Sequence, residues 1–502
     1  MKRLVYTISF LLLAFGAFAQ DLTDALRYSN HRISGTARSA AMGNAFGALG
    51  GDFSSLSINP AGIGVYRSGE FTLTPSFGQT TIDGSYLGNT AKNSEYNLSL
   101  DNLGYVAAFS TGETSETGFV SVNFGIGFNK LRNFTMHSLV EGSNSDHSLL
   151  TYFTENANND GLSSDNLDPY YEALAWDTYL INYDDEAGEY WNDLTDNGYG
   201  QSQRKTTNRR GYINEYLLSV GANFNHKFYM GATVGIHDVY FKENTNLYEW
   251  DAQNNIPYFN NFNFDTYLRT TGNGVNLKFG AIFKPMEQLR LGVAFHTPTF
   301  YKLNDLYTNS MESSITYEDD GVTETQTAYP DRDGIYDYEI VTPMKAIVSA
   351  ALVLGKAGLI IVDYEFIDYS TAKLKNGSDG YEYINENQAI ANAYRQIGVK
   401  TIGNLHVGAE LRMNKFFSLR GGYEYFPSPY EMDYVGTYNP NSIASYSTFA
   451  GGFGFRQGNV FFDAAYKYIT NEEHEKLYPG AEHMAQYETS KGNVMFTLGF
   501  RF

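Results

Sequence analysis

Few residues of this chain could do chemistry, and their spacing fits no enzyme motif. Its nine histidines form no HExxH pair, no GxSxG sequence marks a nucleophile, and the absence of cysteine excludes thiol catalysis and Cys-zinc sites. A nucleotide-binding loop follows a β-strand, but the glycine-rich stretch from Gly43 to Gly51 follows no predicted strand. Asp331 and Asp333, with Asp337, resemble part of a calcium loop, but an acidic solvated loop explains them more simply. We therefore expect no enzyme activity and no cofactor, and a metal site stays undetermined.

Charge and composition exclude a nucleic-acid partner. The chain has 35 Lys and Arg against 56 Asp and Glu, a formal net charge of −21, so nothing would neutralise phosphates. Only 18% of its residues are charged, below the roughly 25% of ordinary soluble domains, while Tyr, Phe and Gly are abundant. Its mean hydropathy is −0.35. A chain of this kind can cross a membrane as a closed β-barrel, in which only alternate residues face lipid.

The first residues have the pattern of an export signal. Lys2 and Arg3 precede an apolar stretch over 4–15, and 17–19 is a small-x-small cleavage site. The apolar stretch is shorter than the roughly 20 residues that a spanning helix needs. We predict a signal peptide over 1–19, which places the mature protein beyond the inner membrane.

Two-residue alternation predicts the fold. Every second residue is large and apolar in 120–128 and again in 494–502, where the chain ends on Phe502. Fourteen such segments are joined by connections that are alternately short and long, and aromatic residues crowd their ends, as in outer-membrane barrels. We predict an all-β transmembrane antiparallel barrel over 69–502, in the outer membrane of a Gram-negative bacterium. The predicted strands are 69–80, 101–111, 117–129, 213–226, 227–243, 266–284, 288–303, 340–355, 357–373, 403–414, 415–426, 446–457, 458–470 and 491–502.

Residues 20–68 precede the first strand and do not alternate. They are rich in glycine, alanine and serine, which suit tight packing inside a lumen, and a barrel of this size is wide enough to need filling. Because the first strand is predicted to rise from the periplasm, we expect this segment to form a plug at the inner end of the barrel.

The sequence GTARSAAMGNAFGALGGDFSSLSINPAGIG, residues 35–64, resembles the plug of the FadL/TodX family of outer-membrane transporters for long-chain fatty acids and aromatic hydrocarbons. The family's Asn-Pro-Ala motif stands at 59–61. Further similarity lies in 289–303, 362–370, 406–429 and 449–469. Two features depart from the family. Segment 130–212 is unusually long and acidic, with 14 Asp and Glu against 6 Lys and Arg, and His296 replaces a polar or basic residue.

The resemblance implies a mechanism in which extracellular loops capture a hydrophobic molecule and pass it into the barrel. A plug shift and a gap at a kinked third strand then release it sideways into the bilayer. Asn59, Pro60, Ala61 and Arg38 would act in the plug. Pro60 also pushes Asn59 into an extended conformation, from which its side chain can form an Asx turn.

Glycines and charges in the strands are the remaining candidates. Gly125 and Gly127 in the third strand mark either the lateral opening or room for the plug. A desolvated fatty-acid carboxylate needs a cationic partner. The candidates on the predicted lumen face are Lys278, Arg290 and Arg420, together with His296. Because Glu410, Glu424 and Asp463 share that face, we expect most lumen charges to form structural ion pairs.

Three hypotheses for the function remain open. The leading one is a monomeric transporter for a long-chain fatty acid or similar hydrophobic molecule, inserted by the barrel-assembly machinery among outer-membrane lipid and lipopolysaccharide. Its acidic segment 304–339 could bind divalent cations between lipopolysaccharides. The second is a hemin receptor with His296, His237 or His406 as axial ligand. The third is a structural or secretion-associated barrel whose plug stays closed and whose loops dock a partner.

Overall fold

The computed structural model of the chain describes residues 22–110, 118–144, 146–317, 321–394, 403–430 and 445–502. The predicted signal peptide lies outside the described residues, so its cleavage site stays a prediction.

The strands form an antiparallel sheet that closes on itself. β1 pairs with β2 on one side and with β21 on the other, so the first wall strand meets the last. Fourteen strands make up the wall, as the alternation predicts. In chain order the strands are β1 (Glu70–Tyr86), β2 (Asn89–Ser110), β3 (Phe119–Asn133), β4 (Met136–Ser143), β5 (Asn182–Asp184), β6 (Glu189–Trp191), β7 (Ser202–Phe224), β8 (Phe228–Trp250), β9 (Phe259–Phe283), β10 (Leu289–His296), β11 (Phe300–Thr316), β12 (Thr323–Ala328), β13 (Gly334–Val341), β14 (Lys345–Val353), β15 (Gly358–Ile367), β16 (Lys373–Lys375), β17 (Asn404–Arg412), β18 (Phe417–Phe426), β19 (Tyr446–Gln457), β20 (Val460–Lys476) and β21 (Met484–Arg501).

The two faces of the wall differ as the sequence pattern requires. In β21, Phe496, Leu498 and Phe500 are about half exposed on the outer surface, whereas Thr497 is fully buried on the lumen side. An apolar outer band and a polar interior are the pattern of a barrel in a lipid bilayer. At one end the turns are tight: between β7 and β8, Asn225 and His226 take left-handed φ values of 55° and 53°.

At the other end the strands continue far beyond the predicted boundaries. β1 and β2 form one long hairpin that turns at Leu87 and Gly88, so the predicted loop over 81–100 is mostly strand. β7 and β8 have 23 residues each. Because a strand needs only about 9–11 residues to cross a bilayer, these extensions form a tall wall beyond it. We call this end of the barrel extracellular, as the connection lengths predict.

Four wall strands are interrupted and consist of two segments each: β3 with β4, β10 with β11, β13 with β14, and β15 with β16. The pairing of β3 with β2 ends at Asn129 opposite Asn102. Above that point the third strand no longer pairs with β2, and β4 packs against both β2 and β1, beside Gly84. The seventh and eighth strands break side by side at Pro298 and Pro343, which lack the N–H that a ladder requires.

Short helices fill the barrel and cover its extracellular end. They are α1 (Leu22–Ser29), α2 (Ala37–Ala41), α3 (Ser55–Ile58), α4 (Leu149–Asn159), α5 (Glu172–Asp177), α6 (Asp193–Asp196) and α7 (Ile384–Ala393), with 3-10 helices at Pro60–Val65, Ser164–Asn166 and Tyr369–Thr371. None of the helices in the described part of the chain has the length and apolar character needed to span a bilayer.

Residues 35–66, which we call the plug, cross the lumen near the tight turns. α2 packs against β19 and β20, and the 3-10 helix 60–65 packs against β7, β8 and β9. The preceding residues differ from expectation, because 22–34 do not stay at the inner end. They run along β3 and place α1 higher in the lumen, where Leu26 and Tyr28 are buried against aromatic side chains of the wall. Burial of these apolar side chains explains the upward course.

Residues 144–200, which we call the cap, fold over the extracellular end. The cap contains α4, α5, α6 and the β5–β6 hairpin. Leu150 and Phe153 of α4 share a hydrophobic core with Phe262 of β9 and Tyr487 of β21. The long acidic segment of the sequence is therefore a small folded unit seated on the barrel wall.

Candidate functional site

Asn59 fixes the plug to the wall. Its backbone is extended, and its side-chain oxygen accepts a hydrogen bond from the N–H of Ala61 at 3.1 Å, which forms the predicted Asx turn ahead of Pro60. The Asn59 amide donates to the carbonyl oxygens of Gly47, Ala281 and Val293 at 2.6, 3.2 and 3.2 Å. One side chain thus links two parts of the plug to β9 and β10.

Arg38 joins the plug to the opposite wall. Its Nε lies 3.3 Å from Glu410 Oε2, and Arg420 lies 2.9 Å from the same oxygen. Arg420 also reaches Asp463 at 2.5 Å. These carboxylates raise the pKa of the Arg38 guanidinium, although burial opposes them. Arg420, a predicted ligand-binding residue, is therefore taken up by structural ion pairs.

The other three predicted ligand-binding residues also lie at the plug–wall contact. Lys278 Nζ is 2.5 Å from Glu215 and 3.2 Å from the carbonyl of Ser57. Arg290 donates to the carbonyl of Leu49 at 2.9 Å, and His296 Nε2 lies 2.9 Å from the carbonyl of Ile58. These residues face the lumen, as the predicted strand register requires, but in this structure they contact the plug or the carboxylates beside it.

Gly125 and Gly127 make room for the plug. A Cβ atom at Gly125 would lie 2.6 Å from Leu56 Cδ2 and 2.9 Å from Ile63 Cδ1, and one at Gly127 would lie 2.5 Å from Phe53 Cζ. Over 121–129, β3 pairs with both β2 and β7. The bend of the third strand lies above the glycines, at 130–135, and a lateral opening at Gly125 and Gly127 stays a prediction.

The histidines considered as haem ligands form hydrogen bonds within the protein. His237 Nδ1 lies 2.6 Å from the Tyr301 hydroxyl, and His406 Nδ1 lies 2.9 Å from the Gly43 carbonyl. The cavity that they border with His296 has a volume of about 90 Å³. Ligand pockets usually measure about 300–1,000 Å³, so this space supports no haem site.

A larger, amphipathic cavity lies above the plug. It has a volume of about 310 Å³ and is bordered by α1, the bend of the third strand, β20 and β21. Its apolar side chains include Leu26, Leu131, Phe134, Met136, Phe241 and Met495. Its size reaches the usual range of small-molecule sites.

Within the described residues, three cations of this cavity lack a carboxylate partner, and one of them, Arg132, donates instead to the carbonyls of Arg27 and Asn30. The Arg32 guanidinium lies 3.1 Å from the ring centroid of Tyr446, and its side-chain hydrogen bond to Asn30 is long at 3.4 Å. The Lys491 side chain has no hydrogen bond or ion pair within the described residues. By contrast, Lys467 beside them is 3.1 Å from Glu424. The cavity therefore combines apolar walls with two cations that can pair with an anion.

Sequence reasoning missed both cations. Arg32 lies outside the segment that carries the family resemblance, and Lys491 is the first residue of the predicted last strand. The position of Lys491 on an alternating strand is the one signal that could have pointed to it.

A buried carboxylate holds the cap in place. Glu249, in the extracellular part of β8, is fully buried and accepts hydrogen bonds from Ser148 Oγ at 2.7 Å and from the Leu149 N–H at 3.1 Å. Gln201 and Gln203 also donate to it, at 3.2 and 3.0 Å. Burial nevertheless raises the pKa of Glu249 to about 7.

The three aspartates that resemble part of a calcium loop do not form a common site. Asp331, Asp333 and Asp337 are exposed, and Asp337 accepts a hydrogen bond from Asn304. In the described part of the chain, only Asp146, Glu482 and His483 bring three potential metal ligands together, and two of the three are fully exposed.

No known family profile matches this sequence, and no curated protein matches it either. Solved structures do match, along nearly the whole chain. A FadL homologue of Pseudomonas aeruginosa is 13% identical with a TM-score of 0.54, covering 94% of this chain and 98% of that one. A TodX mutant described as a monoaromatic hydrocarbon channel is 14% identical with a TM-score of 0.52, covering 94% and 99%. The Pseudomonas putida toluene transporter TodX is 14% identical with a TM-score of 0.50, covering 92% and 97%.

The chain therefore folds as a closed antiparallel barrel of fourteen strands with an N-terminal segment inside its lumen. In particular, the chain has the fold of the FadL and TodX channels. The resemblance seen in the sequence is confirmed at the level of the fold.

Proposed function

We propose that this protein is an outer-membrane channel for an amphipathic hydrophobic compound, such as a long-chain fatty acid. The observation that carries the proposal is the pairing, in one cavity of about 310 Å³, of an apolar lining with the cations Arg32 and Lys491. Burying a carboxylate is costly unless it is paired and hydrogen-bonded. A fatty acid placed there would gain both its apolar contacts and its counter-ions.

The course of the third strand supports lateral release. The cavity is lined by every residue from Leu131 to Met136, which is the bend where the strand has left β2. A ligand in the cavity therefore lies beside the point where the wall ladder between β2 and the third strand has ended. The cavity beside the other interruption, lined by Thr299 and Pro343, is much smaller, at about 90 Å³.

The plug and the cap are the parts that would move. The plug closes the lumen toward the tight turns, and the cap covers the extracellular end. Loop capture would require the cap to open, and onward release would require the plug contacts at Asn59 or Arg38 to shift. The plug opening, the monomeric state and insertion by the barrel-assembly machinery belong to this proposal.

Replacing both cavity cations tests the proposal. The purified protein in a neutral detergent should bind oleate, and the double variant Arg32→Gln, Lys491→Gln should bind it about tenfold or more weakly, because each charge-assisted bond contributes about 1.5–3 kcal/mol. Binding of the methyl ester, which has no charge, should change little. The control is Lys92→Gln, an exposed extracellular lysine paired with Asp83.

Two results would contradict the proposal. If the wild-type protein binds neither oleate nor its ester, the channel function is wrong. If the double variant loses both ligands equally, the cavity matters but the cations do not recognise a carboxylate, and an uncharged hydrocarbon becomes the better substrate.

A further inference from the structure

A second large cavity lies on the other side of the plug, among the tight turns. Its volume is about 520 Å³, within the range of ligand sites, and it shares no lining residue with the amphipathic cavity. The plug contributes Arg38, Tyr66 and Arg67, while the turns at 412–416 and the strand end at 454–456 form its wall. We call it the periplasmic vestibule, because the tight turns are predicted to face the periplasm.

The vestibule is basic in an acidic protein. It is lined by seven cations and four carboxylates, whereas the chain as a whole has a formal net charge of −21. The cations are Arg38, Arg67, Arg412, Lys415, Arg420, Arg456 and Arg501, and the carboxylates are Asp52, Glu70, Glu410 and Asp463. Such a local excess attracts anions.

The carboxylates are already engaged. Glu410 is shared by Arg38, Arg412 and Arg420 at 3.3, 3.6 and 2.9 Å. Asp463 pairs with Arg420 at 2.5 Å, and Glu70 pairs with Arg501 at 2.6 Å. Asp52 accepts a hydrogen bond from the Thr36 hydroxyl at 2.8 Å and forms no ion pair within the described residues, so none of the four carboxylates pairs with Arg67, Lys415 or Arg456.

Three cations therefore remain without a counter-ion. The side chains of Arg67, Lys415 and Arg456 have no ion pair or hydrogen bond within the described residues, and all three residues are exposed. Arg456 and Arg501 both lie 5.5 Å from the ring centroid of Phe461, so two guanidinium groups share one aromatic ring. Since Glu70 neutralises only one of them, an anion between them would relieve their repulsion.

We propose that the periplasmic vestibule binds a multivalent oxyanion, a phosphate or polycarboxylate, through Arg67, Arg456 and Lys415. Guanidinium groups hold such anions with paired, planar hydrogen bonds. The vestibule opens on the lumen side, since Glu410 and Asp463 are buried there while Leu411 and Leu419 of the same wall are exposed on the outer face. A soluble anion from the aqueous compartment therefore fits better than a lipid headgroup. The site is independent of the proposed uptake function.

Titration calorimetry with inorganic phosphate and with citrate tests this site on the full chain in a neutral detergent. We expect saturable binding that weakens as sodium chloride is added. The double variant Arg67→Gln, Arg456→Gln should weaken binding about tenfold or more. Arg210→Gln, which removes an exposed arginine from an extracellular pair with Glu95, should leave it unchanged.

The competing outcomes are distinct. Competition by phosphatidylglycerol nanodiscs, with loss of binding in the double variant, would support the site but assign it to a lipid phosphate. No binding by the wild type, or equal binding by the double variant, would overturn the proposal. If the double variant does not insert, Lys415→Gln provides the same comparison, because this exposed side chain contacts only the ring of the adjacent Phe416 among the described residues.

Discussion

The side-chain amide of Asn59 donates a hydrogen bond to the carbonyl oxygen of Gly47, 2.6 Å away and twelve residues earlier in the plug. The same amide reaches the carbonyl oxygens of Ala281 and Val293, which face each other across β9 and β10. A single residue therefore couples the internal fold of the plug to its seat on the wall.

Asn59→Ala should loosen the plug while the barrel stays closed. The variant loses contacts that contribute about 0.5–1.5 kcal/mol each. We expect faster hydrogen exchange in 35–66, an unchanged heat-modifiable band in electrophoresis, and altered oleate uptake per molecule. Asn246→Ala, which removes an amide from the extracellular wall, is the control. If Asn59→Ala only lowers the yield of barrel and the surviving protein transports normally, the residue serves folding rather than gating.

Gly125 and Leu56 should show energetic coupling. Gly125→Ala places a methyl group 2.6 Å from Leu56 Cδ2, and overpacking of this kind typically costs about 1–3 kcal/mol. Leu56→Ala should restore part of the plug stability lost in Gly125→Ala, as measured by hydrogen exchange in a double-mutant cycle. Gly421→Ala, where nothing lies within 4 Å of the new atom, should have no effect. Additive effects at the two positions would contradict the packing role of Gly125.

The alternation and the connection lengths were sufficient to predict the barrel because lipid and lumen impose opposite polarities on successive residues. The extracellular extensions escaped prediction because no lipid faces them, so residues such as those of 89–95 are polar or small on both sides. The bend of the third strand and the breaks at Pro298 and Pro343 depend on where neighbouring strands stop pairing, which one sequence does not reveal.

The lumen charges were predicted in part. Arg420 pairs with Glu410 and Asp463, two of the carboxylates expected to form structural ion pairs, whereas Glu215, the partner of Lys278, was not predicted. Whether a lumen cation is free depends on contacts between distant parts of the chain. For that reason the unpaired cations of the cavity, Arg32 and Lys491, were not among the predicted site residues.

The packing of the cap on the barrel should become less stable as the pH rises, because the buried carboxyl of Glu249 loses its proton. Burial raises the pKa of this carboxyl to about 7, above the roughly 4.3 of an unfolded glutamate. Its contribution to stability is therefore fully present below about pH 4.3 and is lost as pH rises toward about 7. Hydrogen exchange in α4 should be slower at pH 5 than at pH 8, after correction for the intrinsic rate.

Glu249→Gln is the control for that effect. The variant cannot titrate at this position, although its amide meets donors that previously faced a carboxylate oxygen, so the cap should be less stable at every pH. The difference between pH 5 and pH 8 should shrink. If the variant keeps the full difference, a group other than Glu249 controls the pH response.

Disulfide locks can locate the exit from the amphipathic cavity, because the chain contains no native cysteine. Asp101→Cys with Lys130→Cys would tie β2 to the third strand where their pairing ends, at a site where the two native side chains already approach to 3.9 Å. Thr299→Cys with Thr342→Cys would tie the seventh and eighth strands at their own interruption, where the two backbones share a hydrogen bond of 3.0 Å. Tyr466→Cys with Val494→Cys crosslinks a regular part of the wall as a control.

The bend of the third strand lines the cavity, so we expect the ligand to leave there. Oxidation of the Asp101→Cys, Lys130→Cys pair should therefore lower oleate uptake about tenfold, which corresponds to an increase of about 1.4 kcal/mol in the barrier to release. Reduction of the same protein should restore uptake, which separates the lock from the loss of the ion pair. The other two pairs should transport equally well in both redox states, and electrophoresis without reductant would verify that each disulfide has formed. Loss of uptake only on oxidation of the Thr299→Cys, Thr342→Cys pair would move the exit to the interruption at Pro298 and Pro343. Undiminished uptake in all three oxidised proteins would show that the ligand leaves through the lumen, past a displaced plug, and not through the wall.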